Sequence, residues 1–238
     1  MLTIYFVLFV AFVFPLLDLF LYPRVRPGAR ARYHLIGSAW LWLMAAGTIA
    51  VMRGHPWHDL RLDVPSPIRL AAGFALVIAY GAHATKQTRA LLRKPARLRA
   101  LLQKHAYADA LVPHTAAEMK TFAVLSVSAG FCEEVVYRGF MLWCATTWIG
   151  LWPALLATSV LFGAAHAYLG KQGMLSAAVG GLLFGVVAIG SASLWPAIVL
   201  HAATDLFSGD LLYRASRLEP FEQVRHERLG EAVGNGAD

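Results

Sequence analysis

The sequence predicts an all-α protein of the polytopic membrane class, a transmembrane helix bundle of about seven spans. Three observations carry this prediction. Of 238 residues, 58% are hydrophobic and only 15% are charged, whereas an ordinary soluble domain carries about 25% charged residues. The charges gather in a few loops and leave long apolar runs between them, which is how a multi-span membrane protein reads. The runs are continuous rather than alternating. In lipid only helices or closed barrels satisfy their own backbone hydrogen bonds, and an uninterrupted apolar run fits the helix.

The first run, MLTIYFVLFVAFVFPLLDLFLY, lacks a basic leader and a small-x-small cleavage site. It is expected as a membrane helix, not a removable signal. Taking about 20 apolar residues per crossing, the spans fall at 2–22, 35–52, 68–84, 118–148, 151–169, 174–192 and 195–213. The fourth run exceeds one simple span, so it starts as a cytoplasmic extension or tilts strongly.

The loops set the orientation. Loop 23–34 carries Arg24, Arg26, Arg30 and Arg32, and segment 85–117 carries Lys86, Arg89, Arg93, Lys94, Arg97, Arg99 and Lys104. Arg214, Arg217, Arg225 and Arg228 follow the last span, while in loop 53–67 Arg53 and Arg61 are offset by Asp59 and Asp63. Alternation across seven spans puts every basic-rich loop on one side, giving an N-out, C-in topology. The net charge of +7 is thereby explained by cytoplasmic loops, and no nucleic-acid partner is expected. Trp57, Trp148, Trp152 and Trp195 fall near outer span ends, as an aromatic belt would. The word LWPA occurs at 151–154 and 194–197, opening a span from the outer side each time, with Pro in the first helical turn. Segment 85–112, with leucines at helical spacing around Pro95, is expected as a broken amphipathic helix on the inner leaflet. Cys132 and Cys144 form no disulfide framework and are expected as small buried residues.

Ionisable groups inside spans cost about 2.5 kcal/mol or more each. Asp18 lies near a span end, where snorkelling suffices. Glu133, Glu134, Arg138, His166, His201 and Asp205 instead sit within runs that otherwise read as membrane helix. In EEVVYR, Glu134 and Arg138 are four apart, so they share a helix face and can pair. Glu133 is turned about 100° away and is left without a local partner, free to act as a base. Phe162 and His166 are also four apart, as are His201 and Asp205. An Asp one turn below a His can fix the orientation of its ring. Three spans therefore present polar groups, and bundles build sites from facing helices. Buried polar residues can also simply hold membrane helices together. Ser, Thr, Asn or Gln would serve that purpose, whereas carboxylates and imidazoles are the groups of acid–base or metal chemistry.

EEVVYR, FGAAH and HAATD resemble the three motifs of the CPBP family (also called Abi), the type II CAAX prenyl endopeptidases and bacteriocin-processing proteins. The family pattern EExxxR, FxxxH and Hxxx followed by Asn or Asp matches at Glu133, Glu134 and Arg138, then Phe162 and His166, then His201 and Asp205. The resemblance covers about residues 115–213 and divides the chain into N-terminal helices with a basic segment (1–114), a peptidase core (115–213) and a polar tail (214–238). It implies an intramembrane endopeptidase in which Glu133 and His166 activate a water, His201 and Asp205 bind the oxyanion, and Arg138 holds Glu134. No cofactor is favoured. If a Zn²⁺ ion were used, Glu133, His166 and His201 would be its ligands, although the sequence has no HExxH. The substrate class implied is a membrane-associated peptide or protein, either a prenylated CAAX tail or, in a bacterial member, a leader or sorting tail. The compact size points to the inner membrane of a bacterium, with the lipid bilayer as the other partner. A non-catalytic membrane adaptor or immunity protein on the same fold is the alternative. A proton-coupled transporter is disfavoured by the lack of inverted repeats.

One geometric demand follows from the spacing. His166 lies about 15 residues from the outer end of its span and His201 about 7, a difference near 12 Å at 1.5 Å per residue. For the two rings to meet, the last helix must start below the outer surface or the helices must tilt.

Overall fold

A computed structural model describes residues 28–55, 59–94, 96–98, 100 and 111–217. The expected first span with Asp18, the interfacial Trp57, residues 101–110 of the basic segment and the tail from 218 onward lie outside the described residues. The described residues form helices throughout: α1 (Arg30–Val51), α2 (Pro67–Leu92), α3 (Ala116–Glu134), a π-helical segment (Val135–Met141), α4 (Leu142–Ile149), α5 (Leu151–Ala165), a 3₁₀ turn (Ala167–Leu169), α6 (Gly170–Ser191) and α7 (Trp195–Ala215). Each expected span from the second to the seventh has a helix over it. Among the described residues, α1, α2 and the stretch Ala167–Ser191 are each long and apolar enough to cross a membrane, as a multi-pass membrane protein requires. Large apolar side chains such as Ile68, Ile78 and Leu175 point outward and are exposed, which suits a lipid-facing surface.

The helix ends follow local chemistry. Ser66 caps α2 by accepting from Arg69 N–H, with Pro67 in the first turn. Thr115 and Glu118 form a reciprocal capping box at the start of α3, satisfying two of the orphan N–H groups. Helix α2 runs on to Leu92 and turns at Arg93. Residues 85–92 therefore extend the third span and do not begin a separate surface helix. No breaker precedes Pro95, which disfavours helical backbone at Lys94 before it.

Helix α3 occupies the centre, with α1 on one flank and α7 on the other, while α6 packs on α5 and α7, and α2 closes against α7 and α6. Close approach depends on small residues, as is usual where lipid removes the hydrophobic drive between helices. At Gly130 of α3, an added Cβ would lie 2.8 Å from the Ala202 backbone nitrogen and 2.9 Å from the Ile198 carbonyl oxygen. These are backbone atoms and cannot rotate aside. Gly130→Ala is therefore expected to push α3 from α7 and to lower stability by about 1–3 kcal/mol, the usual cost of overpacking. Chemical denaturation in mixed micelles would measure it, and an unchanged midpoint would contradict the packing described.

The two LWPA copies share an exposed Trp (Trp152 and Trp195) and a fully buried Ala (Ala154 and Ala197), and differ at the Leu, which is half-buried at Leu151 and fully buried at Leu194. The 59–62 loop covers the second copy: Leu194 N–H donates to the Arg61 carbonyl oxygen at 2.7 Å, and Trp195 Nε1 donates to the Leu62 carbonyl at 3.0 Å. The start of the last helix is thus tied to the 59–62 loop by two hydrogen bonds.

Candidate functional site

The π-helical segment follows directly after the paired glutamates. Its wider turn makes the α3–α4 rod irregular at the point where α5, α6 and α1 meet it. Such single-turn insertions are frequent at functional sites. All seven of its residues are buried, Arg138 included.

Glu134 and Arg138 pair as the spacing predicts, with Arg138 Nη1 donating to Glu134 Oε1 at 2.9 Å. Both side chains are almost completely buried. The same Glu134 oxygen accepts from His201 Nδ1 at 2.9 Å. The carboxylate that orients His201 is therefore Glu134. The four-residue spacing assigns that task to Asp205, but Asp205 Oδ2 stands 3.7 Å from His201 Nε2, beyond hydrogen-bond distance. A backbone step of four residues brings Asp205 near the far ring nitrogen, while α3 reaches the near one from across the interface.

Glu133 faces away from this pair. Its Oε2 is 3.8 Å from His201 Nε2 and has no hydrogen-bond partner among the described residues. His166 stands at the C-terminal end of α5, not inside a longer span, because the helix stops at Ala165. Its Nδ1 donates to the Phe162 carbonyl at 2.8 Å. That bond fixes the ring and leaves Nε2 to act as an acceptor.

Phe162 serves as a wedge between the charged groups. Its ring lies 4.7 Å from the His166 ring and 5.8 Å from the His201 ring. The Arg138 guanidinium sits over its face at 4.1 Å, within cation–π range. Phe184 of α6 stacks on His201 at 4.6 Å, so His201 is fixed by a carboxylate at one edge and an aromatic plane on one face. Gly181 leaves room for the guanidinium, since a Cβ there would lie 2.6 Å from Arg138 Nη2. Phe184 and Gly181 escaped the sequence reading, because an aromatic or a glycine in an apolar span carries no local mark of its neighbours.

Glu133, Phe162, His166, His201 and Asp205 line one cavity of about 350 Å³. Glu134 and Arg138 lie behind its wall. A second wall, from Gly37, Trp40 and Leu41 of α1 together with Leu125 of α3, is apolar. A cavity of this size with a few convergent polar groups has the character of a small-ligand or peptide site. It offers two carboxylates, Glu133 and Asp205, one acceptor imidazole nitrogen and one imidazole held at its opposite nitrogen. Among the described residues, no three His, Cys, Asp or Glu side chains come together as a metal site. The Glu133, His166 and His201 set therefore does not fit a Zn²⁺ ion in this arrangement. Cys132 is buried and Cys144 partly so, and both are free thiols.

Residues 115–207 match the family model described as type II CAAX prenyl endopeptidase Rce1-like. The match takes in all three motif words and ends just past Asp205, slightly short of the 213 expected from the resemblance. The matched family is a protease family. No curated protein and no solved structure matches the chain.

Proposed function

Starting from the Rce1-like domain of the CPBP family that residues 115–207 carry, we propose that this protein is an intramembrane endopeptidase that cleaves membrane-associated peptides with water activated by Glu133 and His166. The observation that supports it most is the convergence of Glu133, His166 and His201 on one cavity from three separate helices. In this reading the chain crosses the membrane seven times, N-out and C-in, in a bacterial inner membrane. The substrate is a leader, a sorting tail or a prenylated CAAX-type tail.

The chemistry follows from the hydrogen bonds. A water between Glu133 Oε2 and His166 Nε2 gives a proton to the carboxylate as its oxygen attacks the scissile carbonyl carbon. His201 donates through Nδ1 to Glu134, and in this reading the ring is held as an imidazolium, whose second proton, on Nε2, is directed toward the cavity and stabilises the oxyanion. Asp205, 3.7 Å from that same nitrogen, adds negative charge that favours the imidazolium. Collapse of the tetrahedral intermediate breaks the C–N bond, and Glu133 returns its proton to the leaving nitrogen. The oxyanion donor is worth roughly 3–4 kcal/mol of barrier.

The test compares peptide termini in membranes carrying the wild-type chain with those carrying His166→Ala. Termini that appear only with the wild type define the substrate. Cleavage in purified protein is expected to persist in 1,10-phenanthroline. Identical termini in both membranes would remove the peptidase reading, and full inhibition by the chelator would replace the metal-free route with a metal one.

A further inference from the structure

Away from the cavity just described, a groove of about 770 Å³ runs between the C-terminal half of α2 and Phe207 of α7. Its two ends differ in chemistry. One end is apolar, formed by Ile78, Gly81, Ala82 and the Phe207 ring. The other end holds Lys86, Arg89 and Arg93. Positions 78, 82, 86, 89 and 93 follow one another at helical spacing, so they form a single stripe along α2. The basic side chains are exposed and make no ion pair with any described residue. No acidic side chain is among the described residues lining the groove.

We infer that this groove binds one anionic phospholipid, with an acyl chain along Ile78, Gly81 and Ala82 and the phosphate among Lys86, Arg89 and Arg93. Three arguments select a lipid as the occupant. Helix α2 is long and apolar enough to cross a membrane, and only 17% of its apolar window is buried within the protein, so this face meets lipid. The basic residues follow the apolar part of the stripe by one to four turns, which is the level of the headgroups. Three cations without a described counter-charge complement a phosphate, and basic pockets between membrane helices bind anionic headgroups. Basic residues on loops set orientation by their number alone, whereas here they continue the wall of the groove. The site stands apart from the cavity of Glu133 and His166, and it holds whether or not the chain cleaves peptides.

The test is native mass spectrometry of the full chain released from nanodiscs of phosphatidylcholine mixed equally with phosphatidylglycerol. The wild type is expected to retain phosphatidylglycerol at least tenfold over phosphatidylcholine. Two variants separate the two ends of the groove. Lys86→Gln combined with Arg89→Gln and Arg93→Gln is expected to abolish the preference. Gly81→Leu fills the apolar end without changing charge and is expected to reduce total retained lipid several-fold. Circular dichroism in detergent verifies that each variant keeps its helicity, and single Gln substitutions replace the triple one if it does not. Three results would overturn the inference: an unchanged preference in the Gln variants, unchanged retention in Gly81→Leu, or displacement of the lipid by millimolar inorganic phosphate or glycerol phosphate, which would make this a simple anion site.

Discussion

Glu133→Gln is expected to lower the rate of peptide cleavage by roughly 10³-fold or more while leaving the protein folded. General-base catalysis is typically worth about 10²–10⁴-fold, and an amide cannot take the proton of the attacking water. The substitution keeps the size and shape of the side chain. Glu133 Oε2 has no hydrogen bond to lose among the described residues, and His201 Nε2 stands 3.8 Å from it. Packing around α3 therefore has no reason to change. Initial rates of the purified protein in nanodiscs measure the first effect, and a thermal melt by intrinsic Trp fluorescence measures the second. Glu134→Gln supplies the contrast. It also weakens cleavage, but through a site that no longer holds together, and its melt falls with it. A rate for Glu133→Gln within tenfold of wild type, with the melt unchanged, would leave the carboxylate without the role given to it.

The parts of this site legible in the sequence are those that one helix encodes within its own turn. Glu134 and Arg138 are four apart, and they pair. Glu133, one residue earlier, is rotated off their face and lines the cavity. Spans whose side chains are mostly apolar were equally readable, as α1 and α2 illustrate. Two of the helices that carry the motifs give a weaker apolar signal because Glu118, Lys120, Glu133 and Glu134 on α3, and Asp205, Asp210 and Arg214 on α7, dilute their hydropathy, while the third, α5, is apolar but only 15 residues long.

What could not be read required a second helix. The bond from His201 to Glu134 joins residues 67 apart, and the local alternative, Asp205, was the only carboxylate within reach of a one-helix argument. Phe184 stacks on His201 from a helix that bears no charged residue near it. The π-helical turn at Val135–Met141 has no compositional signature, since its residues would suit an ordinary helix equally well. Burial of Leu194 depends on the 59–62 loop folding over it.

Arg138→Met is expected to destabilise the fold by about 3–5 kcal/mol, the cost of leaving one partner of a buried ion pair uncompensated. Arg138 is 1% exposed and Glu134 fully buried, so water cannot replace the lost cation. His201 still donates to Glu134 Oε1, but Glu134 Oε2 already lacks a partner among the described residues. The guanidinium also leaves the face of Phe162, the ring that touches both imidazoles. Adding Glu134→Gln to Arg138→Met removes the orphaned charge, keeps an oxygen for His201, and is expected to restore most of the stability. Denaturant titration in mixed micelles, followed by Trp fluorescence, reads all four members of the cycle. A double variant no more stable than Arg138→Met would mean that packing of the Arg138 stem, not its charge, holds this part of the bundle. Recovery of stability without recovery of cleavage would separate the two tasks of Glu134: neutralising Arg138, which a neutral pair makes unnecessary, and holding His201 with a full negative charge, which Gln cannot do.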